Sequence, residues 1–139
     1  MLIVDTGPLV AAADTADPAH QRCLNLLESH PGPLVTTALV IVEAGWLIRR
    51  QLDQRAEALL YATIAQGQID VEDLIARDWT RISELISIYS NIGLDAADAS
   101  IVAIAERLDQ SVIATLDERD FRIVKPNHTD AFQLVPGPG

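Results

Sequence analysis

A chain of 139 residues, 49% hydrophobic and 22% charged, has the length of one domain and enough apolar material for a core that needs no disulfide or structural metal. Twenty acids against ten bases leave a net charge of −10, which argues against the broad basic footprint of a general nucleic-acid binder. Cys23 is the single cysteine, the three histidines stand too far apart for a zinc pattern, and no stretch reads as a signal peptide or membrane span, so a soluble cytoplasmic protein is expected.

Met1–Val4 is an apolar run followed at once by Asp5-Thr6-Gly7-Pro8. A short strand that ends in an acid and breaks at Gly-Pro fits a buried first strand with a functional carboxyl end. Asp5 either caps the helix expected through Leu9–Ala13, with Pro8 near its first position, or serves a site. Beyond the turn-rich Asp14–Pro18, His20–Ser29 carries Cys23, Leu24 and Leu27 at helical spacing until Pro31-Gly32-Pro33 stops it. Leu34-Val35 forms a second strand, and Thr36 or Thr37 caps a long helix reaching about Arg50. Within that helix Glu43 stands among Leu39, Val40, Ile41, Val42, Trp46, Leu47 and Ile48. An acid in such surroundings calls for a partner or a cation, or else lies at the edge of the stripe. Asp53–Gln66 is a further helix ended by Gly67, Ile69–Val71 a third strand, and Ala76–Tyr89 a helix whose Trp79 and Tyr89 suit core or interface better than base stacking.

The stretch Leu94–Phe121 holds a helix, a strand and two acidic clusters. Ala97, Ile101, Ile104, Ala105 and Leu108 recur at three- and four-residue spacing, giving a helix with an apolar stripe. Asp95 is a good N-cap, and Asp98, three residues on, would complete something like a capping box. Val112–Ala114 is a strand buried on both faces, and Asp117, Glu118 and Asp120 follow it in a polar turn. Ile123-Val124 and Phe132–Val135 are the remaining strand candidates. A single domain over residues 1–135 and a frayed tail over Pro136–Gly139 complete the chain.

Strands alternating with helices define a parallel α/β sheet whose carboxyl ends share one edge, where ligands bind. Asp5 and Asp117 reach that edge from strands, Glu43 and Asp98 from helices that start there. Two carboxylates about 4 Å apart repel by about 4 kcal/mol at an effective dielectric near 20. Such a cluster therefore stays protonated or holds a divalent cation, and oxygen-only ligands suit Mg²⁺ or Mn²⁺. Nine of the ten bases are arginines, whose forked guanidiniums suit phosphate, though most surface arginines only solvate a helix face.

In their order and spacing these pieces resemble the PIN-domain family, and within it the small VapC-type toxins of toxin–antitoxin pairs. The resemblance spans nearly the whole chain. It rests on I-V-D-T at the start, V-E-A in the helix after the second strand, L-D-A-A-D-A around position 98, and A-T-L-D-E-R-D-F after the fourth strand. It implies a three-layer α/β/α sandwich around a short, mainly parallel sheet, and a Mg²⁺-dependent endoribonuclease in which Mn²⁺ can substitute. Asp5, Glu43, Asp98 and Asp117 would be the catalytic, metal-holding acids, with the hydroxyls of Thr6 and Thr115 nearby and Asp95 and Asp120 in an outer ring. It also implies an RNA substrate approached past arginines such as Arg49, Arg50 and Arg119, a small antitoxin partner and a homodimer. A PIN-like scaffold that binds RNA or a partner without cutting is the alternative. A receiver-like phosphoacceptor lacks its paired acids, and a dehalogenase-type phosphatase would want Asp-x-Asp where Asp5-Thr6-Gly7 stands.

Overall fold

The computed structural model describes residues 1–138; Gly139, the end of the expected tail, lies outside them. Five short parallel strands form one sheet in the order β3-β2-β1-β4-β5, with β1 at Leu2–Val4, β2 at Leu34–Thr36, β3 at Asp70–Val71, β4 at Val112–Ala114 and β5 at Gln133–Val135. Register is set by pairs such as Ile3 with Val35 on one side and with Ile113 on the other. Helices α1 (Thr6–Ala13), α2 (His20–Ser29), α3 (Ala38–Gln51), α4 (Gln54–Ala65), α5 (Ala76–Ile88), α6 (Ala96–Arg107) and α7 (Glu118–Ile123) make the crossovers and complete the three-layer α/β/α arrangement. α1 packs on α2 and α3, α3 on α4 and α6, and α5 on α6.

β1 through β3 build the sheet outward in one direction, after which β4 returns to pair with the other side of β1. Strand order reverses there, so the crevice that open α/β sheets use for ligands opens between the carboxyl ends of β1 and β4. Asp5 follows β1, and Thr115 and Asp117 follow β4.

The core unites Leu2, Ile3 and Val4 of β1 with Val40, Ala44 and Ile48 of α3 and a long buried stretch of α6. The apolar stripe expected on α6 is in fact a whole surround: every residue from Ala97 to Ala105 is buried. A helix apolar on all sides belongs in the middle of a protein, and α6 occupies that place. Thr37 takes the N-cap of α3, accepting the Val40 N–H and bonding Ser100 Oγ of α6 at 2.8 Å, while Thr36 donates to the Val4 carbonyl at 2.7 Å. These buried hydroxyls fix β2 and the start of α3 against β1 and α6.

Two expectations are corrected. Glu118–Ile123 is a short helix, α7, where a polar turn and a strand were expected, because Asp117 caps it by accepting the Asp120 N–H. Ile123 ends that helix and Val124 is extended but unpaired, so the Ile123-Val124 strand does not form. Trp79 is half exposed on α5 and no part of the core. At the other end, the Gly137 carbonyl accepts a long hydrogen bond from Arg22 Nη1 at 3.4 Å.

Candidate active site

Asp5 sits at the N-cap position of α1 and yet makes no side-chain cap. Its carboxylate, 3% exposed, instead accepts the Thr115 hydroxyl at 2.8 Å through Oδ2, while Oδ1 is buried without any partner. Burial pushes its pKa up to about 6, against the Thr6 N–H and the Thr115 hydroxyl, which favour the charged form; Asp95 and Asp117 add to the rise. Thr6 Oγ1 beside it is likewise buried and unpaired.

Asp98 lies in the first turn of α6 and is 8% exposed. Asp95 is the N-cap, accepting the Asp98 N–H at 2.8 Å. The reciprocal half of a capping box is missing: among the described residues no donor bonds the Asp98 carboxylate. Its pKa is pushed up to about 9, first by burial and then by Asp5, Asp95, Asp117 and Glu43. The capping alternative therefore explains Asp95 and leaves Asp98 free for the crevice.

Glu43, in the second turn of α3, is half-buried. Its carboxyl is held above its ordinary range by burial, then by the charges of Asp95 and Asp5. The two acids that add to the rise follow β1 and precede α6, so Glu43 belongs to the same acidic neighbourhood. Asp117 is exposed at the mouth, raised by burial and by Asp120, and its backbone N–H donates to Thr115 Oγ1 at 3.0 Å. Carboxylate oxygens of Asp98, Asp117 and Asp120 lie within 4.8 Å of one another. Asp120, which the family resemblance put in the outer ring, thus joins Asp98 and Asp117 in one cluster. The signal for this was available, since an acid three residues after a capping Asp shares the first turn of a helix with it.

A site that burial and mutual repulsion drive toward protonation, with one buried carboxylate oxygen lacking any donor, fits a hard divalent cation. The donor set is all oxygen, and no Cys or His joins the carboxylate cluster among the described residues.

The arginines divide by role. Arg81 pairs with Glu106 at 2.8 Å and Arg107 with Glu72 and the buried Asp78 at 2.9 and 3.0 Å, joining α5, α6 and the loop after β3. Arg49 pairs with Glu57 at 3.6 Å, and Arg50 lies over the Trp46 ring at 5.2 Å from its centroid. Both occupy the last turn of α3, about 9 to 10.5 Å of helix rise beyond Glu43. Arg119, in the first turn of α7, has no carboxylate partner among the described residues.

The model of the PIN domain matches residues 2–125, and the chain belongs to the PIN-domain family. Its likeness within the family runs to VapC proteins. It is 27% identical over 135 residues to Ribonuclease VapC26 of Mycobacterium tuberculosis, covering 97% of this chain and 100% of that one. The crystal structure of M. tuberculosis VapC20, described as a sarcin-ricin loop cleaving toxin, superposes with a TM-score of 0.76 at 21% identity, covering 81% of this chain and 87% of that one. VapBC2 of Rickettsia felis, solved bound to a DNA fragment from its promoter, gives 0.64 at 13% identity over 96% of each chain. No helix among the described residues is long and apolar enough to cross a membrane.

Proposed function

We propose that this chain is a metal-dependent endoribonuclease and the toxin of a toxin–antitoxin pair. The observation that carries the proposal is the buried, partnerless Oδ1 of Asp5, in an acidic neighbourhood shared with Asp98, Glu43 and Asp117. The 27% identity with a ribonuclease over the whole of that relative supports the choice of RNA as substrate.

Asp5, Asp98, Glu43 and Asp117 would hold Mg²⁺, with Mn²⁺ able to replace it. When bound, such a cation supplies a water of lowered pKa and offsets charge developing on the phosphodiester oxygens. The chain's own residues do the rest. Thr115 holds Asp5 through Oδ2 and so leaves Oδ1 without a donor, open to a cation. Glu43, reachable from solvent and with raised proton affinity, is placed to receive the proton of an attacking water. Arg119 at the mouth offers a fork of donors to a non-bridging phosphate oxygen.

An antitoxin partner has a place to dock away from these acids. An apolar groove of about 780 Å³ runs between α1, α2 and α4, lined by Leu9, Leu24, Leu27, Ala56 and Leu59, and it opens toward the amino ends of β2 and β3. Its volume and apolar lining suit an amphipathic helix. Exposed Trp79 and Ile86 on α5, with Ile75 at its N-cap, supply apolar surface for a homodimer. A cytoplasmic location follows from the proposed substrate.

The test is cleavage of purified total RNA with Mg²⁺ or Mn²⁺, beside an EDTA control and the Asp98→Asn variant. Discrete fragments that require metal and vanish in the variant are expected. Intact RNA in every divalent metal, from folded protein free of antitoxin, would move the function to a scaffold that binds without cutting.

A further inference from the structure

Trp46 is 56% exposed and contributes nothing to the buried core, although Val40, Ala44 and Ile48 of the same helix are fully buried. A large aromatic ring left in solvent beside an acidic crevice calls for a use. Resting on the ribonuclease reading above, we propose that Trp46, backed by Arg50, is the platform on which a base of the RNA strand stacks next to the scissile bond. The two residues are positioning groups and touch none of the reacting atoms.

Three relationships support the assignment. Trp46 follows Glu43 by three residues, so the two side chains are neighbours on one helix face, separated by about 4.5 Å of rise. Helical side chains lean toward the N-terminus of their helix, and the N-terminus of α3 is the end at the catalytic edge. The indole therefore tilts toward the turn that carries Glu43. Second, the guanidinium of Arg50 covers one face of the ring at 5.2 Å from its centroid. That contact holds the indole in place while more than half of the residue stays in solvent, and adds a cation where a phosphate backbone would pass. In a protein of net charge −10, a cation paired with an exposed aromatic next to the acids is the local exception that a single strand needs. Third, the topology puts Arg119 on the other side. α3 leaves the sheet after β2 and α7 after β4, with β1 and Asp5 between them. A strand running from Trp46 to Arg119 crosses the crevice at Asp5.

Trp79, the second tryptophan, meets none of these conditions. It projects from α5, which follows the edge strand β3, and among the described residues no cation covers it. It serves as the internal control.

In a Trp79→Phe, Asp98→Asn protein, Trp46 is the only indole and RNA stays intact, so its fluorescence reads binding directly. Titration with single-stranded oligouridylate and oligoadenylate should quench it, and a double-stranded RNA of the same length should not. In proteins that retain Asp98, Trp46→Ala should raise KM for a cleaved oligoribonucleotide by about tenfold with kcat within about twofold of the parent. Trp46→Phe should restore most of the affinity, and Trp79→Phe should leave KM unchanged. A parent that cleaves RNA while Trp46→Ala retains its KM overturns the platform and leaves the nuclease standing. So does a Trp46→Ala protein whose sedimentation changes while its RNA affinity does not, which would give this face to a protein contact. Failure of the nuclease itself shows separately, as a parent that neither binds nor cuts RNA.

Discussion

Thr115 donates its hydroxyl to Asp5 Oδ2 at 2.8 Å and with the same oxygen accepts the Asp117 N–H at 3.0 Å. One side chain, 1% exposed, thus couples the ends of two adjacent strands and orients an acid on one of them. Thr115→Val keeps the shape and removes both bonds. It should destabilise the protein by about 1–3 kcal/mol, because a carboxylate oxygen and an N–H lose their partners. RNA cleavage should fall by about tenfold or more, and Thr115→Ser should recover most of both losses. Urea denaturation and initial cleavage rates measure the two effects; a valine variant with parental rates would show that Asp5 needs no orienting.

Stability should depend on pH in a direction set by the crevice. Asp5 at about 6 and Asp98 at about 9 both bind protons more tightly in the folded than in the unfolded chain. A carboxyl with a raised folded pKa contributes stability that is complete below its unfolded value, near 4, and disappears as pH climbs through the folded value. Metal-free protein should therefore lose melting temperature steadily between pH 5 and pH 9. Mg²⁺ should reverse the loss most strongly at the alkaline end, since the cation binds the ionised form. A melting temperature that rises with pH in EDTA would contradict the stated environment of Asp98.

Removing the charge at Asp98 separates folding from chemistry. Asp98→Asn should raise metal-free stability at pH 8 by roughly 1–3 kcal/mol, because the variant no longer has to take up a proton at this position in order to fold, flatten the pH slope, and lower cleavage by at least about a hundredfold. Asp5→Asn should lower cleavage comparably. Calorimetric melts at two pH values, with and without Mg²⁺, distinguish this from simple misfolding, which would lower stability everywhere.

Arg107 should behave as a purely structural cation. It neutralises Asp78, which is 2% exposed, at 3.0 Å. Arg107→Met leaves that carboxylate buried without a counter-charge and should cost about 3–5 kcal/mol. Arg107→Met with Asp78→Leu should return much of it, and neither change should alter RNA affinity in the fraction that remains folded. A salt-dependent loss of RNA binding in Arg107→Met would bring this residue into the substrate path.

Much of the fold and several site candidates were legible in the residues themselves. Apolar runs closed by turn residues marked β1, β2 and β4, and Glu43 was conspicuous as an acid in an apolar helix. The parts that were not legible share a cause. α7 spans six residues, less than two turns, so it cannot display a helical period, and its β-branched end at Ile123-Val124 reads locally as a strand. Asp95 and Asp98 look alike in sequence; only the tertiary position of α6 assigns one to the cap and the other to the crevice. Arg81 and Arg107 resemble phosphate binders until their carboxylate partners, distant in sequence, are seen beside them.

The continuous burial of α6 from Ala97 to Ala105 bears on how freely this sequence can drift. Most helices tolerate change on their wet side, so a map of permitted substitutions repeats every three or four positions. Along these nine residues that rhythm should vanish, leaving an unbroken band in which polar and enlarged side chains are rejected alike. Asp98 falls inside the band, and selection for the acid and selection for the space around it act there on the same turn of helix.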